Sequence, residues 1–324
     1  MSNETILVGD AGGTNVRFAV ARIDDSGITL SPIWKRPGAG YPTFAYALSA
    51  YLAESGAKPT GASFGLAGAE VDGRIELLNR GWTVDRRETT EQLGLDSVVM
   101  VNDFFAMARG AVELAPGDAL EITSGVVDSL GSVAVGGPGT GFGIAMLRRV
   151  REGWVVGAGE GGHQSYSPQT DVEWRLAENL RAHAIYPSNE IVAAGIGFDQ
   201  TRRALAEVMG VADRQQSQQD VIDAAQQGEA FALEFCRLRA RCVMTTIGDL
   251  SLVANSTGGV FLAGGVTQRL IPWLKEKAAL DCFYQRGPRT ALLARFPIRN
   301  ITSEAAPLIG AAHLWRDERN RGWL

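Results

Sequence analysis

Apolar, β-rich runs at Ile6–Val8, Val16–Ala21 and Thr29–Ile33, parted by Gly/Asp turns, predict three strands joined as an antiparallel meander. Apolar residues at helical spacing over Pro42–Leu52 follow the Gly/Pro breaker Pro37–Gly40 and predict a helix. Strands at Ala62–Leu66 and Val98–Val101 come next, the second running into a helix over Phe104–Val112. The pattern then restarts. Strands are expected at Ser132–Val135, Gly143–Arg148 and Trp154–Val156, followed by a helical stretch from Asp171 to about Leu252. Within it, Glu229–Thr246 lacks Gly and Pro and repeats its apolar residues on one face. A strand at Val260–Ala263, a helix at Gln268–Leu280 and a strand at Leu293–Ile298 complete the second set. Ala305–Glu318 closes the chain as a helix with Leu308, Ile309, Ala312 and Trp315 on its apolar face. The same order occurs twice without a sequence repeat, which predicts a duplicated α/β architecture of two mixed sheets flanked by helices, with a cleft between lobes.

The 324 residues suit about two domains. Hydrophobic content of 45% and charged content of 21% exclude wholesale disorder, and a net charge of −5 offers no basic face for nucleic acid. Cys236, Cys242 and Cys282 are too few for a disulfide framework and lack metal-ligand spacing, so a reduced compartment and no zinc are expected. Met1–Asp10 has no basic region ahead of an apolar core, so no signal peptide is expected. Ser129–Leu147 is uncharged over 19 residues, but six glycines and a proline make it strands around a loop, not a membrane span. The expectation is a cytoplasmic protein.

Glycine is in excess, and the excess is local: 17 of the 39 glycines fall in four short segments, 9–13, 136–143, 153–162 and 258–265. Gly9-Asp-Ala-Gly-Gly-Thr-Asn15 lies between the first two strands, where Gly12 and Gly13 permit a sharp turn whose N–H groups cradle phosphate. Asp10 adds a carboxylate suited to a hydrated Mg²⁺. A plain hairpin tip explains the same residues. Gly136–Gly143 repeats the arrangement between the next pair of strands. Gly258–Gly265 reads as a buried strand ending in Gly-Gly before a helix whose start favours an anion, though close strand–helix packing also uses glycine there. No G-x-x-x-x-G-K-[ST] occurs. Gly157–Gly162 matches G-x-G-x-x-G only formally, because His163–Pro168 follows where that motif needs a helix.

Asn102-Asp103 sits where a strand meets a helix. Asn102 or Asp103 as a helix cap accounts for it, and so does a carboxylate placed to take a proton from an alcohol; one residue can serve each purpose. Glu160-Gly-Gly-His163 brings an acid and an imidazole together in the manner of sugar recognition; a two-residue metal site competes but has no third ligand nearby. His183 reads as a helix-surface residue.

Taken in order, Asp10-x-Gly-Gly-Thr-Asn15, Asn102-Asp103-Phe104, Gly139-Thr-Gly-Phe-Gly143, Glu160-Gly-Gly-His163 and Ala263-Gly-Gly265 resemble the bacterial glucokinase family, hexokinase-like and distinct from ROK kinases. The resemblance runs from Leu7 to about Leu314. It implies the two-lobed actin-like ATPase fold, with ATP and sugar in the interlobe cleft, and transfer of the ATP γ-phosphoryl to the 6-hydroxyl of glucose with Mg²⁺. On matching positions it implies Asp103 as general base and Asn102, Glu160, His163, Glu190 and Gly137 at the sugar. Gly9, Asp10, Ala11, Gly12, Gly13, Thr14, Gly139 and Thr140 would hold phosphates, Gly264 and Gly265 the adenosine, and Asp10 the metal through water. A small discontinuous domain of residues 1–113 plus 304–324, a large domain of 114–303 and a homodimer are also implied.

Departures from the family pattern bear on the sugar. Its Ser-Gly-Pro-Gly segment after the Glu190 position is replaced within Ala193-Ala-Gly-Ile-Gly197, its Gly-Pro-Val stretch reads Gly65-Leu-Ala-Gly68, and its Thr-Asn pair reads Leu78-Asn79. A kinase for glucosamine, mannose or fructose is therefore the alternative. A sugar-sensing regulator of the same fold is disfavoured because only five residues precede Ile6, leaving no room for a DNA-binding module. A chaperone or filament subunit would share the phosphate loops without needing Glu160 and His163.

Overall fold

A computed structural model describes residues 4–12, 14–77, 80–151 and 153–324. Gly13 and the Leu78-Asn79 pair lie outside the described residues. The chain divides into two compact units: residues 1–118, 147–157 and 303–324, and residues 119–146 with 158–302.

In the first unit, β1 (Glu4–Ala11), β2 (Asn15–Asp24) and β3 (Gly27–Leu30) form the expected meander, and β4 (Trp34–Pro37) adds to β2. Helix α1 (Phe44–Ser55) is capped by Thr43 and stopped by Gly56 in the left-handed conformation. Strand β5 (Gly61–Leu66) follows. The span 70–93, for which no elements were predicted, forms a small sheet of β6 (Glu70–Val71), β7 (Arg74–Leu77) and β8 (Trp82–Asp85), then α2 (Arg86–Leu93). Next come β9 (Ser97–Asn102) and α3 (Asp103–Ala111). The main sheet runs β3-β2-β1-β5-β9, with β5 and β9 parallel to β1. Period-two alternation splits its side chains between two cores. Leu7, Phe18 and Phe64 pack with Phe44 and Leu48 of α1, while Ile6, Val8 and Ala19 face the C-terminal helix.

The second sheet collects β10 (Ala119–Thr123), β11 (Val133–Pro138), β12 (Phe142–Val150) and β13 (Gly153–Gly159). Helices α4 (Asp171–Ala182), α5 (Asn189–Ala193), α6 (Phe198–Met209), α7 (Gln218–Gln226) and α8 (Ala230–Ala254) follow, then β14 (Gly259–Leu262), α9 (Gly265–Leu274), α10 (Lys277–Tyr284), α11 (Thr290–Leu293) and β15 (Ile298–Ile301). Its order, β13-β12-β11-β14-β15 with β10 at the edge, matches β3-β2-β1-β5-β9. The duplication is thus visible in strand order. Finally α12 (Ala306–Asn320) packs in the first unit through Leu308, Ala311, Ala312 and Trp315.

Three expectations need correction. α8 is buried on nearly every side, including Arg239 and Arg241, because helices and sheet surround it; it is not a one-faced amphipathic helix. Gln268–Leu280 is two helices, broken near Lys275–Glu276. Leu293 ends a short helix and the strand starts only at Ile298, after Pro297, whose missing N–H suits a strand entry.

Candidate active site

In the first unit, β1 pairs with β2 through Ala11↔Val16, so Gly9, Asp10 and Ala11 are strand residues and not part of the turn. Gly9 is buried, and a Cβ there would come within 2.8 Å of the Phe18 and Phe64 rings, so packing accounts for glycine at that position. The hairpin register sets Asp10 opposite Arg17, whose guanidinium lies 2.5 Å from its carboxylate. Burial raises the Asp10 carboxyl, with Arg17 acting against it. Thr14 is exposed, and its carbonyl accepts from the Gly38 N–H. Arg80 donates to the Gly12 carbonyl at 3.1 Å and lies 4.9 Å from the Trp82 ring centre. Arg17 was readable in principle, since two-residue alternation across a tight hairpin places it beside Asp10. Arg80 carried no local signal.

At the end of β9, Asn102 caps α3: its Oδ1 accepts from the Phe104 N–H at 2.9 Å, and its Nδ2 donates to the Gly68 carbonyl. Asp103 Oδ1 accepts from the same Phe104 N–H at 2.8 Å. The Asp103 carboxyl is pushed up to about 6, first by burial and then by the negative charge of Asp10, with the backbone hydrogen bonds opposing. A Cβ on Gly12 would sit 3.9 Å from Asp103 Oδ2, so the turn and this carboxylate are neighbours. Asn102 caps the helix, and the next residue leaves a carboxylate oxygen beside Gly12.

In the second unit, the turn 139–141 joins β11 to β12, closed by the Gly139 N–H on the Gly141 carbonyl at 2.7 Å. Gly137 lies on β11 at φ +152, and a Cβ there would press into the Ala263 carbonyl at 2.2 Å. Gly264 starts α9 at φ +100, a conformation that glycine adopts without strain. Gly265 is the first residue of that helix, whose leading N–H groups are oriented for an anion. Glu160 precedes and His163 ends a single 3₁₀ turn, Gly161–His163, so no α-helix follows the formal G-x-G-x-x-G. His163 Nε2 lies 3.9 Å from Glu160 and 3.8 Å from Glu190. Both Glu160 and His163 are exposed, whereas Glu190 is largely buried and its Oε2 accepts from the Phe142 N–H at 2.9 Å. The segment that departs from the family pattern is stitched to the turn: the Gly195 N–H donates to the Gly139 carbonyl and the Ile196 N–H to the Thr140 carbonyl, each at 2.9 Å. A proline at 196 could not donate that second bond. His183 sits at the exposed C-terminal end of α4, as expected.

Each unit therefore carries a glycine turn, between β1 and β2 in the first and between β11 and β12 in the second, with acidic side chains near it. A family model described as Glucokinase matches residues 7–318. The glucokinase of Mesorhizobium japonicum is 33% identical over 309 residues, covering 95% of this chain and 90% of that one. A crystal structure of a glucokinase from an Antarctic psychrotroph aligns with a TM-score of 0.87 at 30% identity, covering 96% of this chain and 98% of the other. The Balamuthia mandrillaris glucokinase, solved in complex with glucose, shares the fold at a TM-score of 0.77 and 21% identity, covering 97% and 94% of the two chains. Motifs, strand order and these likenesses agree over nearly the whole length, and the chain belongs to the glucokinase family, kinases of the actin-like ATPase fold.

Proposed function

We propose that this chain phosphorylates glucose at the 6-hydroxyl with ATP, using Asp103 as the general base. Family membership supports the reaction. The observation that carries the base is the Asp103 carboxyl, pushed up to about 6 at the junction of β9 and α3. Such a group is ionised at neutral pH yet basic enough to accept a proton in the transition state. As the sugar O6 bonds to the γ-phosphorus, its proton passes to Asp103 and the bond from that phosphorus to the bridging oxygen breaks, releasing ADP.

Asn102, Glu160, His163, Glu190 and Gly137 would hold the sugar, with carboxylates accepting from hydroxyls and the amide and imidazole completing the set. Asn102 has one amide hydrogen left for this, since its Oδ1 and one Nδ2 hydrogen serve the cap and Gly68. Gly9–Thr14 (Gly13 included), Gly139 and Thr140 would hold the phosphates, and Gly264 and Gly265 the adenosine. A Mg²⁺ arriving on nucleotide phosphates needs only one or two protein oxygens, often through water. Asp10 fits that need: Arg17 takes one oxygen and leaves the other. Among the described residues no cluster of three or more His, Cys, Asp or Glu would bind a metal unaided. When bound, the ion would neutralise phosphate charge. We further propose a cytoplasmic homodimer acting in glycolysis; no helix among the described residues is long and apolar enough to cross a membrane.

The test is a sugar panel with coupled ADP detection. Glucose should give the highest kcat/KM, ATP consumption should require sugar, and Asp103→Ala should abolish turnover without unfolding the protein. Near-normal turnover in that variant would remove the base assignment. The second reading, a glucosamine, mannose or fructose kinase, draws on the altered Ala193–Gly197 segment beside Glu190 and wins if any of these outpaces glucose.

A further inference from the structure

Arg239 lies in the middle of α8 at 3% exposure. Isolated buried charge is costly, so such a group is normally paired with a carboxylate. Here the partners are backbone carbonyls. Nε and Nη2 donate to the Ala193 carbonyl at 3.2 and 2.6 Å, and Nη2 donates to the Ala194 carbonyl at 3.1 Å. The guanidinium is held over the Phe235 and Phe198 rings, 5.3 and 5.7 Å from their centres. Burial lowers its pKa to about 10, so the group remains cationic at neutral pH.

Both carbonyls stand at the C-terminal end of α5, a helix of five residues with Glu190 in its first turn. A helix this short does not hold itself, and the negative end of its dipole is where a cation stabilises it. Immediately beyond, Gly195 and Ile196 donate to the Gly139 and Thr140 carbonyls, while Glu190 accepts from the Phe142 N–H. A Cβ at Gly141 would lie 2.7 Å from Glu190 Oε2, so little slack separates this carboxylate from the turn. The segment 190–196 is thus fastened to the turn 139–142 on one side and to Arg239 on the other.

We propose that Arg239 is a positioning residue for sugar recognition: by holding the Ala193 and Ala194 carbonyls it aims the Glu190 carboxylate and keeps the 139–142 turn in register. This rests on Glu190 being a sugar ligand, and the test separates the two claims. Arg239→Met, which removes the donors and keeps the aliphatic stem, is combined with Glu190→Gln in a double-mutant cycle read as kcat/KM for glucose. Arg239→Met should cost about tenfold in the wild-type background, mostly through KM, and less than twofold in the Glu190→Gln background. Equal losses in both backgrounds would mark a merely structural role and overturn the proposal. If Arg239→Met does not fold, Arg239→Lys goes through the same cycle: it keeps the charge with a single point donor, and its smaller loss should also vanish beside Glu190→Gln. Equal losses there overturn the proposal too. Should Glu190→Gln alone leave the glucose KM unchanged, the ligand assignment fails and the proposal with it.

Discussion

Asp103→Asn should stabilise the protein while disabling it. The carboxyl moves from 3.8 to about 6 on folding. That shift corresponds to about 3 kcal/mol favouring the protonated form in the folded state, trimmed to about 1–2 kcal/mol by the side chain's partial exposure. Because the folded value is raised, the folded state binds the extra proton between pH 3.8 and about 6. Stability therefore falls as pH rises through that window, and the full cost is present at pH 7.5. Asparagine removes the charge and keeps an acceptor for the Phe104 N–H, so the variant should gain about 1–2 kcal/mol at pH 7.5. A gain of that size raises the midpoint by about 2–6 °C. Below pH 3.8 the gain should vanish. Loss of a general base should lower kcat about 10²–10⁴-fold over the same preparation. Thermal scans of both proteins at pH 7.5 and 3.5, with turnover at pH 7.5, check this. A stability difference independent of pH would refute the burial argument; retention of more than a tenth of wild-type kcat would refute the role.

Wild-type kcat/KM for glucose should drop about tenfold per pH unit below about 6, with a one-proton profile that Asp103→Glu displaces, read by the ADP-coupled assay. Gly141→Ala should raise the glucose KM about tenfold with an unchanged circular dichroism spectrum, because the new methyl meets Glu190 Oε2. Asp317→Ala should cost about 3 kcal/mol in urea unfolding, since Arg109, 1% exposed, loses the carboxylate 2.6 Å from its Nε and, among the described residues, keeps Glu113 alone as a carboxylate partner. Native thiol titration should find one slow group, Cys282, and three after denaturation. Cys236 and Cys242 are 1% exposed, and burial pushes the Cys236 thiol up to about 12.

Central strand positions were legible because both sheets bury them on two faces: Ile6–Val8 and Gly259–Leu262 are buried throughout and leave continuous apolar runs. The small sheet at 70–85 left no such run. Its strands are two to four residues long and half exposed, and Arg74, Glu76 and Asp85 break the apolar pattern, so only the packing of Ile75, Leu77, Trp82 and Val84 onto the first core defines them. α8 misled for the opposite reason. Its apolar residues repeat as on a one-faced helix, yet Arg239 and Arg241 among the intervening residues are buried and hydrogen-bonded inside the unit.

The same contrast governs the site. Motif residues announce themselves because turns and caps demand particular residue types within a few positions, as Asn102 does for the start of α3 and Gly264 for the start of α9. Supporting residues act across the sequence and carry no such constraint: Arg80 reaches Gly12 from 68 positions away, and Arg239 reaches Ala193 from 46. Loss of Ser and Pro from the segment after Glu190 pointed in sequence terms to altered sugar contacts. In the folded chain Ala193 and Ala194 are fully buried, and Ile196 adds a backbone bond to Thr140. Substituting that segment therefore changes how the Glu190 helix is fastened before it changes what touches a sugar. Restoring the family residues as Ala194→Ser with Ile196→Pro removes one fastening, the Ile196 N–H. If the departure concerns fastening, the double variant should raise KM for every hexose by a similar factor. Reordered preference among glucose, mannose and glucosamine would show instead that the segment reads the sugar directly.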